Sequence, residues 1–269
     1  MSNSDFIGVF DSGVGGLTVV KSIIEAMPDE NIVYFGDTAH VPYGSRSKEQ
    51  ITEYVIDDVK FLSKFNIKAV VIACNTADSI ARDTVSKMFP LPFFGVVEPA
   101  AEKSAKITKN GRIGVIATNA TVSSGAYEKA IGRINPSLTV ISKACPLLVP
   151  LVENNRYRKN DGVIETVLRE YLEPLKEHDI DTLVLGCTHY PLLYDVISEI
   201  LPGVTLISSS DAAAEALESG LRESGLLNNG EGGRREYYVS DNPDFFESTA
   251  SVFLGGVTEG KVRHFSEVK

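Results

Sequence analysis

The chain has 269 residues, 43% of them hydrophobic, enough for a sizeable core in two domains or one large one. Its 26 Lys and Arg against 36 Asp and Glu give a net charge of −10, which disfavours nucleic acid or an anionic membrane as partner. No apolar run nears the ~20 residues of a membrane span, and residues 1–5 lack the basic and apolar stretches of a secretory signal.

From the N-terminus, strand and helix patterns alternate. A strand at 6–10 precedes a helix at 16–26, a strand at 31–35 a helix at 47–64, and a strand at 69–73 a helix at 76–88. Strands at 93–96 and 113–117 follow, then a helix at 122–134, a strand at 138–142 and a helix at 161–177. A strand at 182–185, a helix at 191–200, a strand at 204–207 and a helix at 211–224 lead to a tyrosine-rich strand at 236–239. Strands separated by helices predict βαβ units and a parallel sheet. Solid apolar runs such as residues 69–73 predict strands covered on both faces. Residues 228–233 read as a loop.

One segment is written twice. Ile67-Lys68-Ala69-Val70-Val71-Ile72-Ala73-Cys74 resembles Ile180-Asp181-Thr182-Leu183-Val184-Leu185-Gly186-Cys187, 113 positions later. At the same offset Ile51, Val55, Val59 and Leu62 map onto Ile164, Leu168, Leu172 and Leu175, helix-spaced in both copies. Ile7-Gly8-Val9 likewise matches Ile113-Gly114-Val115. The expected fold is therefore α/β, with two pseudo-symmetric parallel-sheet domains of Rossmann or flavodoxin type and the site in the cleft between them. The boundaries fall at 1–97 plus 208–269 for the first domain and 98–207 for the second, the tail packing back onto the first.

In such sheets ligands sit at the carboxyl ends of the strands. Polar residues there are Asp11 and Ser12, Asp37 with the turn Pro42-Tyr43-Gly44, Cys74-Asn75-Thr76, Thr118 to Thr121, and Cys187-Thr188-His189. A lone cysteine usually packs as a small hydrophobe, and Cys145, followed by Pro146 and an apolar run, is read as a buried thiol, with lining of the site as its alternative. Cys74 and Cys187 end corresponding strands and precede helices, which favour thiolate. Two thiols across a cleft suit removal of a proton from one face of a carbon stereocentre and its return to the other. An unperturbed cysteine is only a few per cent thiolate at pH 7, so Asp11 and His189 are expected to assist. Three cysteines without a CxxC fit a reducing cytosol, and the four histidines form no zinc pattern with them.

The glycines of Asp11-Ser12-Gly13-Val14-Gly15-Gly16 leave a rival open. A dinucleotide-binding turn needs glycine at 18, where Thr18 stands, though Asp37 sits where a ribose-binding acid belongs. A nucleotide-binding regulator is the alternative from another class. Ser12, Asn75, Thr76, Thr118, Thr121 and Thr188 are either helix N-caps or the walls of a small polar pocket suited to an amino acid. Asp11 would meet the ammonium there. Glu153 is a site acid or a solvated helix residue.

The stretch from Phe10 to Val19, Gly36-Asp37-Thr38, Pro42-Tyr43-Gly44, Ala73-Cys74-Asn75-Thr76-Ala77 and Gly186-Cys187-Thr188-His189-Tyr190-Pro191 together resemble the glutamate racemases, over nearly the whole chain and in order. The resemblance implies interconversion of L- and D-glutamate without cofactor or metal, supplying peptidoglycan, in a cytoplasmic homodimer. It implies Cys74 and Cys187 as the acid/base pair, Cys74 acting on the D-form and Cys187 on the L-form. It implies Asp11, Ser12, Tyr43, Gly44, Asn75, Thr76, Thr118, Thr121 and Thr188 as substrate contacts, and Asp11, Asp37, Glu153 and His189 as auxiliary groups. Aspartate or another amino acid is the nearest alternative substrate. Asp78 stands where many members have Ser, and Ser208-Ser209-Ser210 where many have Asp. A first strand at residue 6 makes activation through an N-terminal extension less expected.

Overall fold

The computed structural model describes residues 1–230, 232–256 and 261–268. Its first half places strands β1 (Phe6–Asp11), β2 (Ile32–Gly36), β3 (Ile67–Ile72) and β4 (Phe93–Phe94) among helices α1 (Leu17–Ala26), α2 (Lys48–Leu62) and α3 (Asn75–Met88). Helix α4 (Val97–Ile107) carries the chain into β5 (Arg112–Ala117), α5 (Asn119–Ser124), α6 (Ala126–Ile134), β6 (Thr139–Ala144) and α7 (Leu148–Glu153). Then come α8 (Gly162–Lys176), β7 (Thr182–Gly186), α9 (Tyr194–Ile200) and β8 (Thr205–Ser208). The tail forms α10 (Ser209–Glu223), β9 (Arg235–Val239), α11 (Pro243–Leu254) and β10 (Val262–His264).

Two sheets result, ordered β10-β9-β2-β1-β3-β4 and β6-β5-β7-β8. Every pairing in both is parallel. The order 2-1-3-4 in the first sheet recurs as 6-5-7-8 in the second, so the duplication is one of topology as well as sequence. Strand order reverses beside β1 and again beside β5, and a crevice opens at such a reversal. Parallel strands need helical crossovers that cover both faces, and β3 and β7 are buried at every residue.

The repeated helix positions explain how each half closes. Ile51, Val55, Val59 and Leu62 of α2, and Ile164, Leu168, Leu172 and Leu175 of α8, are all buried. Each such side chain contributes about 1.5–3 kcal/mol of transfer free energy. The tail adds β9 to the free edge of β2 and lays α10 against α1.

Several elements depart from the sequence reading. The helix expected over 122–134 is two helices, because Gly125 takes φ +62°, a left-handed cap that ends α5. Helix α4 escapes the sequence reading because its helix-spaced buried face, Val97, Ala100, Ala101 and Ser104, is built mostly of small residues, and its Pro99 sits in the first turn, where a missing N–H costs nothing. Helix α7 is a six-residue apolar run containing Pro150. In the tail, Asn242 caps α11 with Pro243 at its first position, and β10 has only three residues. No helix among the described residues is long and apolar enough to cross a membrane.

Candidate active site

The carboxyl ends of β1, β3, β5 and β7 open on one cavity of about 300 Å³ between the two sheets. Ser12 lines it after β1, Tyr43 and Gly44 after β2, and Cys74, Asn75 and Thr76 after β3. From the second half come Thr118, Cys145, Glu153, Cys187, Thr188 and His189. A larger cavity of about 530 Å³, bordered by α3, α5 and α6, holds neither thiol. Among the expected site residues, Asp11, Asp37 and Thr121 stand behind the lining and are buried. Asp37 accepts from the Tyr43 hydroxyl at 2.6 Å.

The two thiols have unlike surroundings. Cys74 caps α3, and its Sγ lies 3.6 Å from Ser12 Oγ. Burial, and then the charge of Asp11, push this thiol up to about 12 against the pull of the Ala77 N–H and Ser12. Asp11 therefore opposes a Cys74 thiolate in this arrangement rather than assisting it. Burial also raises Asp11, countered in part by His189 and by the N–H groups of Gly13 and Gly16.

On the opposite wall Cys187 Sγ lies 3.9 Å from His189 Nδ1, and His189 Nε2 lies 2.9 Å from Glu153 Oε1. Burial alone would lower His189. Hydrogen bonding to Cys187 and Glu153 outweighs it and pushes the imidazole up to about 10. With Glu153 at one ring nitrogen and the Cys187 sulfur at the other, the arrangement favours the protonated ring, a cation held against Cys187. Cys145 lines the same cavity, but burial pushes its thiol up to about 12 and its Sγ faces the Lys143 carbonyl at 3.5 Å.

The glycine turn also has a packing role. A Cβ on Gly15 would stand 2.3 Å from Thr188 Oγ1 and 2.4 Å from His189 Cε1. Glycine at 15 thus lets the first half close on the Cys187-Thr188-His189 segment.

The hydroxyl and amide groups knit the halves together. Thr76, Thr118 and Thr121 form a triangle of hydroxyl contacts at 2.9, 3.3 and 3.0 Å. Thr118 is also the N-cap of α5, so it both caps a helix and lines the cavity. Asn75 Oδ1 accepts from the Tyr127 hydroxyl at 2.6 Å, and its Nδ2 donates to Ser209 Oγ at 3.3 Å. Its side chain is thereby engaged on both its oxygen and its nitrogen. No side chain caps α3, and a helix N-terminus favours an anion. Tyr127 and Ser209 belong to no motif, and only the folded chain brings them to Asn75.

One cavity thus holds two thiols, one neutral and one beside a cation, together with hydroxyls in its lining, an arrangement able to exchange a proton at carbon. The chain belongs to the Asp/Glu/Hydantoin racemase family, whose model matches residues 7–217. It is 48% identical over 252 residues to the glutamate racemase of Geobacter metallireducens, covering 93% of each. The crystal structure of glutamate racemase isoform RacE1 from Bacillus anthracis superposes with a TM-score of 0.92 at 39% identity, covering 97% of both chains. The glutamate racemase of Francisella tularensis in complex with D-glutamate gives 0.89 at 38% identity, covering 97% of this chain and 96% of that one.

Proposed function

We propose that this chain interconverts L- and D-glutamate by two-base proton transfer, with Cys74 and Cys187 as the bases. The observation that carries the reading is the placement of both thiols at corresponding strand ends on one cavity. With Cys187 as thiolate and Cys74 as thiol, Cys187 takes the Cα proton of the L-form. Cys74 then delivers its own proton to the opposite face. The product is the D-form, and the two sulfurs have exchanged protonation states. Running backward, Cys74 attacks the D-form.

A carboxylate stabilises a carbanion poorly, so the cleft must supply preorganised donors and exclude water. The N–H groups opening α3 and the hydroxyls of Ser12, Thr76, Thr118 and Thr188 suit the substrate carboxylates. Tyr43 and Gly44 form the wall beside them. His189, oriented by Glu153, serves the Cys187 side. Asp11, behind Ser12, draws the ammonium towards Cys74. Thr121 holds Thr118, and Asp37 holds Tyr43. No cofactor enters this scheme.

The two domains divide at 97/98 and 207/208. The enzyme works as a homodimer in the cytoplasm, where reducing conditions keep both thiols free, and supplies D-glutamate for peptidoglycan. Sedimentation tests the dimer.

The test of the chemistry is turnover in D₂O, followed by NMR at Cα and by circular dichroism from each enantiomer of glutamate and of aspartate. Deuterium should enter Cα, and glutamate should be the better substrate. Cys74→Ser and Cys187→Ser should each lower kcat by at least about a thousandfold, since a serine hydroxyl is a far weaker acid than a thiol. Racemisation without solvent hydrogen at Cα, or either variant near wild-type rate, would overturn the scheme.

A further inference from the structure

Asp58 lies on α2 and is buried, yet its carboxyl meets a residue of the cleft wall. Tyr43 Oη stands 2.6 Å from Asp37 Oδ2 and 3.2 Å from Asp58 Oδ2. A phenol carries one proton, which goes along the shorter contact to Asp37. Asp37 also accepts from Ser240 Oγ at 2.8 Å and faces His40 Nδ1 at 2.8 Å, so it is the well-served carboxylate of the pair. Asp58 then faces a phenol oxygen with no hydrogen left to receive. The contact is a hydrogen bond only if Asp58 supplies the proton itself.

We propose that Asp58 acts as a neutral carboxylic acid that donates to Tyr43, making it a positioning residue for the Pro42-Tyr43-Gly44 wall of the cleft. Burial, and then the charge of Asp37, raise Asp58 well above the ordinary carboxylate range, in keeping with this geometry. No lysine or arginine among the described residues pairs with it. The relay runs from Asp58 through Tyr43 to Asp37, joining α2, the wall and the end of β2. Its effect on turnover rests on the racemase reading; its protonation does not.

Two measurements test it. The infrared difference between wild type and Asp58→Asn at neutral pH should show a protonated-carboxyl C=O band present only in wild type. An unprotonated Asp58 overturns the proposal whatever the enzyme does. In kinetics, Asp58→Ala should raise KM for both enantiomers about five- to tenfold, the size of one lost hydrogen bond, with kcat within about threefold. Asp58→Asn, whose amide still donates to Tyr43, should restore KM to within about twofold. If Asp58→Ala fails to fold, Tyr43→Phe carries the test, because removing the phenol oxygen takes away the acceptor of the Asp58 proton and should shift the protonated-carboxyl C=O band. An unchanged KM in Asp58→Ala, an Asn variant as impaired as the Ala variant, or a C=O band left unshifted by Tyr43→Phe would overturn it. Wild type that fails to exchange Cα hydrogen refutes the racemase reading and leaves the infrared result to stand alone.

Discussion

Asp78 offers a stability test whose size follows from its surroundings. It sits in the first turn of α3, after Cys74, and its side chain is fully buried. Its Oδ2 accepts from the N–H groups of Val96 and Val97 at 2.9 and 2.8 Å, capping α4 where the chain crosses between domains. Its Oδ1 lies 3.9 Å from Arg82 Nε. Burial raises the carboxyl from 3.8 to about 6, although Arg82 and the two N–H groups pull the other way. The folded protein thus binds this proton more tightly than the unfolded chain. The group's contribution is full below 3.8 and is lost as pH rises through about 6. At ~1.4 kcal/mol per pH unit the loss reaches about 3 kcal/mol, of which roughly 2 falls between pH 4 and 7.5. In Asp78→Asn one carbonyl oxygen can still accept from both N–H groups without ionising. The variant should therefore gain on wild type as pH rises, its Tm advantage widening by several degrees between about pH 4 and 7.5. Calorimetric melts of both proteins across that range read the difference, since all other titrations are common to both. A difference that stays constant or narrows with rising pH would refute the reasoning.

Gly15→Ala would drive a methyl group into Thr188 and His189. Displacing them should cut kcat/KM about a hundredfold while the far-ultraviolet dichroism is unchanged; activity within threefold of wild type counts against this packing. The imidazolium at His189 gains its partners fully below 6.5 and loses its charge as pH passes about 10. An alkaline limb near there should appear in kcat/KM and be missing from the residual activity of His189→Gln, and an unaltered limb would assign it elsewhere. Lys68 is fully buried in β3, its Nζ 2.5 Å from Glu30 Oε2 and bonded to the Asn3 and Leu226 carbonyls at 2.6 and 2.8 Å. Lys68→Met leaves Glu30 charged without its partner and should cost about 3–5 kcal/mol, with Glu30→Gln recovering part of it. Denaturant titration of the single and double variants measures this, and additive losses would contradict the pairing.

The parts of the fold legible in the sequence are those governed by local periodicity. The apolar stripes of α2 and α8, and the strands that follow them, are written in spacing alone. Helix α11 and strand β10 are not, because one is announced only by an Asn-Pro start and the other is too short for any period. In the site, Cys74 and Cys187 were legible through duplication, which turns two ordinary buried thiols into corresponding ones. At Cys74 the charge of Asp11 repels a thiolate in this arrangement, whereas sequence shows only that a carboxyl follows a neighbouring strand. Asp58 did leave a trace: it falls three residues after Val55 and seven after Ile51, on the buried face of α2. A carboxyl group on an apolar stripe calls for a partner, but only the fold identifies that partner as Tyr43.

The unlike settings of the two thiols meet a constraint imposed from outside the protein. L- and D-glutamate have equal free energies in water, so a racemase's kcat/KM must be the same in both directions. The imidazolium beside Cys187 and the carboxylate behind Cys74 therefore cannot make such a catalyst better at producing one enantiomer from dilute substrate. They can only divide each direction's barrier between binding and turnover, making one enantiomer the tightly held, slowly released partner. A mutation at either thiol's neighbourhood must then shift kcat and KM so that both directions lose catalytic efficiency by the same factor.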